Sequence, residues 1–290
     1  MKKTLVVLIL VILAAAVGYY AFQAGRSQER IARPSESDRQ DMPPRQPVSE
    51  IAEESEPRYP VPDVSSAAKP EPAIVPEPAE EALEEPPPAK IPLPSLTESD
   101  AAVAESLARF VPEQSLDRFF YANNIIKRMA VTVDTLPQQK LPPRLLPVKP
   151  APRAFRVEMR DGTPVISPRN YERYEPYIQM IEAIDIGKAT SFYVRHYPLF
   201  QKAYRLLGQT GYFNDRVVEV INHLLAAPET EGPIRLEPHV NRYKYADPGL
   251  EALSAGQKIM IRIGSENASI VKDWLLQIRR AITTLPARQP

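Results

Sequence analysis

The chain has 290 residues, equal numbers of acidic and basic side chains and no cysteine. Without cysteine there can be no disulfide, thiolate metal site, cysteine nucleophile or lipid-modified cysteine. The neutral total hides two unequal parts, because residues 1–98 carry 10 Lys and Arg against 16 Asp and Glu, a net charge of −6, which leaves +6 for residues 99–290. This moderate positive charge favours anionic partners such as cell-wall polymer, lipid headgroups or nucleic acid through screened attraction.

Residues 4–22 form an apolar run without a single charge, directly after the positively charged N-terminus. A helix of this length rises about 28 Å, close to the roughly 30 Å hydrocarbon thickness of a bilayer. A signal-peptidase site at 14–16 is an alternative, but the apolar run continues to Phe22. The pattern therefore predicts an uncleaved transmembrane signal anchor over residues 1–26, with residues 4–22 as the contact with the membrane.

The charges on either side of this run bear on its orientation. Lys2 and Lys3 favour a cytoplasmic N-terminus, which predicts that the rest of the chain is exported. Arg26, Arg30 and Arg33 on the other flank weaken that rule. They leave open the alternative of a membrane-anchored interaction module that faces the cytoplasm.

Residues 27–92 are predicted to be a disordered, acidic, proline-rich linker. The stretch from 27 to 94 has sixteen prolines and no glycine. It lacks the apolar content to offset the entropy lost on ordering, while proline and like-charge repulsion keep it extended. The linker is expected to be a spacer that reaches on the order of 100–200 Å from the membrane. Recruitment of proline-binding domains by its PxxP motifs is the alternative.

Residues 93–285 have the apolar spacing of helices, and residues 286–290 are predicted to be a flexible tail. Proline, glycine and capping residues divide this region into segments. Helices are predicted over about 99–110, 113–129, a proline-interrupted stretch from 168, a stretch ending at Gly208, a segment capped by Asn214 with Asp215 at its positive end, 248–263 with Asp247 as its cap, and a last helix from Ser265. The stretch Val131–Val133 is too short to assign.

Two short β elements interrupt the helical pattern. Residues 155–167 alternate around Asp161-Gly162, a dipeptide typical of tight hairpin turns. The stretches IRLEP and VNRYKYA form a second candidate strand pair. The predicted fold class is therefore mainly α with minor β: an N-terminal transmembrane helix, a linker, and a C-terminal helical domain with small hairpins.

The candidate binding face lies between Asn170 and Leu225, which contains seven of the thirteen tyrosines, interspersed with arginine. A buried tyrosine hydroxyl needs a hydrogen-bond partner, so this pattern predicts either a satisfied polar network or the rim of a groove. Aromatic rings with guanidinium groups also recognise sugars, peptides and carboxylates. The predicted ligand-binding residues are Asn170, Arg173, Tyr174, Tyr177, Arg195, Tyr197 and Arg216.

Motifs that indicate a particular chemistry are missing from the sequence. His196, His223 and His239 stand 27 and 16 residues apart, which is not the spacing of a preformed metal site. There is no GxSxG, Walker A or GxGxxG motif. Neither a metal, nor a cofactor, nor a catalytic residue is predicted.

A glycan hydrolase is the enzymatic alternative, because it needs only two carboxylates that folding brings together. Glu172, Glu175 and Glu219 are the acids closest to the aromatic stretch. Their spacing to Arg173 and Arg216 is that of ordinary charges on a helix surface. A non-enzymatic role is the favoured interpretation.

Six sequence blocks, taken in order, resemble one protein family. They are LPSLTESD, VTVDTLP, NYERYEPYIQM, YPLFQKAY, GYFNDRVVEVINHLL and ADPGLEALSAGQK, which lie between Leu93 and Ile282. In this the chain is similar to the bacterial family catalogued as domain of unknown function 3014. The resemblance implies one N-terminal membrane span, a proline-rich linker and a C-terminal domain, and it implies no activity.

Together these features predict a single-pass protein of the bacterial inner membrane whose C-terminal domain lies in the periplasm. Its expected role is binding or scaffolding in the cell envelope, with cell-wall polymer or an envelope protein as partner. Nucleic acid is not an expected partner, because an exported domain does not meet it.

Overall fold

A computed structural model describes residues 56–62, 93–111, 113–240 and 242–285. Within these ranges the chain is mainly helical with two small antiparallel hairpins, which confirms that part of the predicted fold class. The α-helices are α1 (Asp100–Ala108), α2 (Glu113–Phe119), α3 (Ile125–Thr135), α4 (Glu175–Glu182), α5 (Ile186–Leu206), α6 (Phe213–Leu225), α7 (Pro248–Ala252), α8 (Ala255–Arg262) and α9 (Ser265–Thr283). The strands are β1 (Val157–Arg160), β2 (Thr163–Ile166), β3 (Leu236–His239) and β4 (Arg242–Tyr245).

The predicted membrane span over residues 4–22 and most of the predicted linker lie outside the described residues. Among the helices that are described, none combines the length and the apolar character needed to cross a bilayer. Residues 56–62 belong to the predicted linker but are described, and they contact the helical domain.

The main core is built by α3, α5, α6 and α9, which pack against one another around a cluster of aromatic rings. Phe200 of α5 and Phe213 of α6 stack with centroids 5.4 Å apart and planes 3° apart. The ring of Tyr193 is tilted by 42° against each of them. Each fully buried ring of this kind stabilises the fold by about 1.5–3 kcal/mol relative to exposure. The aromatic stripe of α5 is thus mainly core.

The two hairpins cover a second, smaller apolar cluster. In the first, Asp161 and Gly162 adopt φ values of 50° and 75° between the paired strands, as the Asp-Gly sequence predicts. The second pairs β3 with β4, which confirms that predicted strand pair. The hairpins meet where the Ile166 amide donates to the Ile234 carbonyl at 3.0 Å.

The prediction of one helix over residues 113–129 is wrong, because the chain breaks between Phe119 and Ile125. Asn124 adopts a left-handed φ of 52°, which a continuous helix does not allow. Asp100 of α1 then accepts the amides of Asn124 and Ile125 at 2.7 and 2.9 Å. A carboxylate from another helix therefore caps α3, whose residues include the undecided Val131–Val133 stretch.

The predicted helix over 248–263 is also interrupted. Asp247 caps its start, as expected, but Leu253 is extended and Ser254 caps a new helix by accepting the Gln257 amide at 3.1 Å. The break allows the Gly256 amide to donate to the Leu136 carbonyl of the α3 terminus at 2.9 Å. Tertiary contact with α3 thus accompanies the split.

Two prolines behave differently within the tyrosine-rich stretch. Pro176 stands in the first turn of α4, which follows a 3-10 helix over Pro168–Arg173. Pro198 lies inside α5, which continues without interruption from Ile186 to Leu206. Gly208 follows that helix with a φ of 85°, the conformation expected of a helix C-terminus.

Candidate functional site

The start of α6 is fixed by a side chain from α5. Gln201 Oε1 accepts the Phe213 amide at 2.8 Å and the Tyr197 hydroxyl at 2.9 Å, while its Nε2 donates to the Gly211 carbonyl at 2.9 Å. The residue in the N-cap position, Tyr212, makes no capping bond of its own. Gln201 therefore satisfies a free amide of the α6 N-terminus and sets the angle between the two helices.

Asn214 links the core to the surface at this point. It was predicted to cap α6, but it lies within the first turn and is fully buried. Its Oδ1 accepts the hydroxyl of buried Tyr193 at 3.1 Å, which leaves its Nδ2 to donate outward. Burial raises the pKa of Tyr193 well above its usual range, so this hydroxyl stays protonated and keeps the Asn214 amide oriented.

Residues 56–62 lie across the exposed end of α6 and bind it through main-chain groups. The amides of Arg58 and Tyr59 donate to the two carboxylate oxygens of Asp215, each at 3.0 Å. The Pro60 carbonyl accepts from Asn214 Nδ2 at 2.9 Å. Asp215 stands in the first turn of α6, where the helix dipole also favours its negative charge.

Side chains of this segment also pack on the domain. Tyr59 and Val61 are half-buried against the main core, and Pro62 is buried. Val61 lies at one side of a concavity of about 440 Å³. We call this concavity, together with Asn214 and Asp215, the docking groove. Its wall on the domain consists of Tyr197, Pro198, Gln201, Lys202, Arg205, Leu206 and Tyr212.

Two of the predicted binding residues, Asn170 and Arg173, form an internal network that fixes the loop before β1. Asn170 accepts the Arg156 amide at 2.9 Å and donates to the Ser167 carbonyl at 2.8 Å. The Arg173 guanidinium donates to the carbonyls of Pro152 and Arg153 at 2.9 and 2.8 Å. Both side chains are almost fully buried. This is the satisfied polar network that the sequence allowed as one of two interpretations.

The predicted tyrosines are buried at different places. Tyr174 lies beneath the Arg173 guanidinium. Tyr177 packs on Phe119 and donates to the Lys149 carbonyl at 3.3 Å, and burial raises its pKa to about 12. Tyr197 is buried too, but its ring belongs to the wall of the docking groove.

The remaining predicted residues are arginines of α5 and α6. Arg195 is exposed on α5. Arg216 makes ion pairs with Asp134 at 3.2 Å and Glu219 at 2.9 Å, which tie α6 to the end of α3. The structure therefore separates the seven residues: Asn170, Arg173, Tyr174 and Tyr177 belong to the region before and within α4, and Tyr197 alone of the seven lines the groove. Ligand binding by these seven residues stays a prediction.

The acids proposed for a hydrolase are exposed on helix surfaces. Glu172 lies in the 3-10 helix, Glu175 at the start of α4, and Glu219 is paired with Arg216. Over the described ranges, no group of three His, Asp or Glu residues is placed to hold a metal ion.

Sequence reasoning noted Asp215 only as a favourable helix-start residue and missed its contact with the linker. One signal could have found the docked segment. Tyr59 is the only aromatic residue between 27 and 92, and prolines stand on both sides of it. A lone aromatic side chain in an otherwise polar, acidic linker is a candidate anchor.

The fold and the groove together define a class: a mainly helical domain that holds a segment from earlier in the same chain, residues 56–62, at a helix N-terminus. The family described as "Protein of unknown function (DUF3014)" matches residues 125–279, more than half of the chain. The protein belongs to this family, as its sequence blocks suggested. The matched range contains the docking groove but not residues 56–62. Comparisons with curated proteins and with solved structures gave no match.

Proposed function

We propose that this protein is a membrane-anchored, non-enzymatic binding module of the cell envelope whose helical domain engages an envelope protein at the docking groove. The observation that carries the proposal is the seating of residues 56–62, because the domain holds this chain segment through three hydrogen bonds to its main chain. A protein partner fits this contact better than cell-wall polymer does. The predicted span over residues 4–22 supplies the anchor, and the predicted linker supplies reach.

The groove is tested in cells with a photo-cross-linking amino acid at Leu206, whose side chain is 67% exposed beside the groove. Met159 on the first hairpin is 66% exposed and serves as the matched control position. The expected result is a discrete protein adduct from Leu206 that is missing from Met159. Equal labelling at both positions, or none at either, would contradict a partner at the groove.

The proposed location is the inner membrane, with the domain in the periplasm. A reporter enzyme fused after Pro290 that is active only in the periplasm, beside one that is active only in the cytoplasm, decides the orientation. Activity of the periplasmic reporter alone is the expected result. Activity of the cytoplasmic reporter alone would establish the cytoplasm-facing alternative.

The non-enzymatic role is tested by incubating the purified chain with sacculi, pelleting them and assaying the supernatant for soluble sugar fragments. No release is expected. Release of fragments would make the protein a glycan hydrolase and direct attention to Glu172, Glu175 and Glu219. Pelleting without release would identify the wall polymer, instead of a protein, as the partner.

A further inference from the structure

We propose that the docking groove takes a bent, proline-containing polypeptide strand from a partner protein, and that residues 56–62 are an internal occupant which this strand displaces. The inference rests on the proposed binding role and adds the chemical class of the ligand. It follows from what the groove recognises in residues 56–62, from what they leave open, and from how they are tethered.

The groove binds main-chain groups of residues 56–62 through its hydrogen bonds, so a strand of another sequence can form the same bonds. Two successive amides donate to the two oxygens of the Asp215 carboxylate, and the Pro60 carbonyl accepts from the Asn214 side-chain amide. Pro57, Pro60 and Pro62 flank these groups, fix φ near −65° and offer no amide of their own. The chain bends at the two residues that donate these amides, which turns both amides toward the same carboxylate. The prolines around this bend restrict the backbone before binding, which lowers the entropy lost on binding.

Side-chain packing adds a simple selectivity. Tyr59 and Val61 contact the core, while Arg58 between Pro57 and Tyr59 is exposed. The groove therefore selects an aromatic residue at one position and an aliphatic residue two positions later. The residue before the aromatic is unrestricted by packing.

The groove is also lined by Lys202, Arg205 and Leu206 of α5, which are exposed. The two basic side chains favour an acidic residue in a bound strand. In the sequence of this chain, Asp63 directly follows Pro62. The expected ligand pattern is thus aromatic, proline, aliphatic, proline, acidic, of which Tyr59–Asp63 is one example.

The internal segment competes because it is tethered. Residues 63–92 of the predicted linker join it to the domain, and such a tether gives an effective concentration up to the order of millimolar. A strand added in solution competes with this effective concentration, so its apparent affinity is lower than its affinity for an empty groove. Weakening the internal segment, with the groove left intact, should therefore increase binding of an added strand.

The test uses the full chain in detergent micelles and a fluorescent peptide with the sequence of residues 55–64, SEPRYPVPDV. The double substitution Tyr59→Ala/Val61→Ala weakens the internal occupant. Adding Asp215→Asn to it replaces one acceptor oxygen by an NH₂ group that faces a main-chain amide. Asp273→Asn, at an exposed position of α9, is the matched control.

The expected result is peptide binding at least about tenfold tighter to the double variant than to the wild type, and at least about tenfold weaker again once Asp215→Asn is added. Asp273→Asn added in its place should change nothing. A scrambled peptide should bind at least about tenfold more weakly than the original. If circular dichroism shows that the double variant loses helix, Tyr59→Ala alone replaces it.

The proposal would be overturned if the folded Tyr59→Ala/Val61→Ala variant did not bind the peptide. It would also be overturned if adding Asp215→Asn left the binding unchanged. If light scattering finds that the wild-type chain is a dimer and the double variant is a monomer, the displacing strand is the same segment of a second copy, and the partner assignment falls. Cross-linking from Leu206 that persists while the peptide fails would retain the binding role and remove only this ligand class.

Discussion

His196 is the buried histidine of α5, and its environment opposes protonation. Its Nδ1 is 2.8 Å from the Phe192 carbonyl, its ring lies 4.1 Å from that of Phe192, and its Nε2 is buried without a hydrogen-bond partner in the described part of the chain. Burial lowers its pKa to about 4, with a smaller contribution from Arg195, against the hydrogen bond to Phe192. A histidine in the unfolded chain has a pKa of about 6.5.

Between pH 6.5 and pH 4 the unfolded chain therefore binds a proton at His196 that the folded chain does not, so stability falls as the pH falls through this window. The full loss is about 3 kcal/mol and is complete below about pH 4. Urea unfolding at pH 7.5 and pH 5 should show about 2 kcal/mol of this loss. The difference in the free energy of unfolding between the two pH values should be smaller in His196→Phe. It should persist in His239→Phe, the control at an exposed site. An unchanged difference in His196→Phe would contradict the assignment.

Arg173 should behave as a structural residue when it is removed. Its buried guanidinium donates to the carbonyls of Pro152 and Arg153, and Arg153 itself has a left-handed φ of 67°. Arg173→Ala leaves these acceptors without donors, and we expect the free energy of unfolding to drop by about 2–4 kcal/mol. Arg169→Ala, at an exposed site of the same 3-10 helix, should change it by less than about 0.5 kcal/mol. Equal effects in chemical denaturation would show that the Arg173 network contributes little.

At the scale of elements, the closest helix contact lies between α8 and the end of α3. A methyl group on Gly256 would come within 2.6 Å of Leu224 Cδ2 and 3.0 Å of the Leu136 carbonyl oxygen. The leucine side chain can move but the carbonyl cannot, so Gly256→Ala should destabilise the domain by about 1–3 kcal/mol. Gly211, with no atom within 4 Å of an added methyl, is the control. Gly211→Ala should change stability by less than about 1 kcal/mol. Equal loss of stability in Gly256→Ala and Gly211→Ala, measured by thermal unfolding, would contradict the close contact.

The local sequence pattern predicted which helices and hairpins exist more reliably than it predicted where they begin and end. The hairpin turn at Asp161-Gly162, the cap at Asp247 and the stop at Gly208 were predicted because each signal lies within a few residues of its effect. The start of α3 was missed because its capping carboxylate, Asp100, comes from another helix. Apolar spacing continues across such a break, so sequence periodicity alone joins the two helices.

The candidate site was predicted less well than the fold. The stretch that alternates tyrosine and arginine includes α5, which forms much of the groove wall, and one of the seven predicted residues, Tyr197, lies there. The groove also needs Asn214 and Asp215 to face a segment more than 150 residues earlier in the chain, as their hydrogen bonds record. A pairing at that distance leaves no periodic signal in either segment.

At the scale of the whole molecule, docking of residues 56–62 should protect the chain from proteases. Trypsin cleaves after Arg58, but the amide of the bond that it must open is hydrogen-bonded to Asp215. In the full-length protein, Asp215→Asn should increase the rate of this cleavage by at least about tenfold, since local release becomes easier. Cleavage after Arg39, in the predicted linker, is the internal reference. A rate at Arg58 that is unaffected by the substitution would show that the segment is released as readily in the wild type.

In the predicted architecture, the tether between the membrane span and the domain has two lengths. When residues 56–62 are docked, the tether consists of residues 23–55. When they are released, it consists of residues 23–92. At the polyproline rise that their composition predicts, these correspond to contour lengths of about 100 Å and about 220 Å. A partner strand that displaces the segment would therefore roughly double the height at which the domain can work. Occupancy of one helix terminus would thus set the distance between bilayer and target.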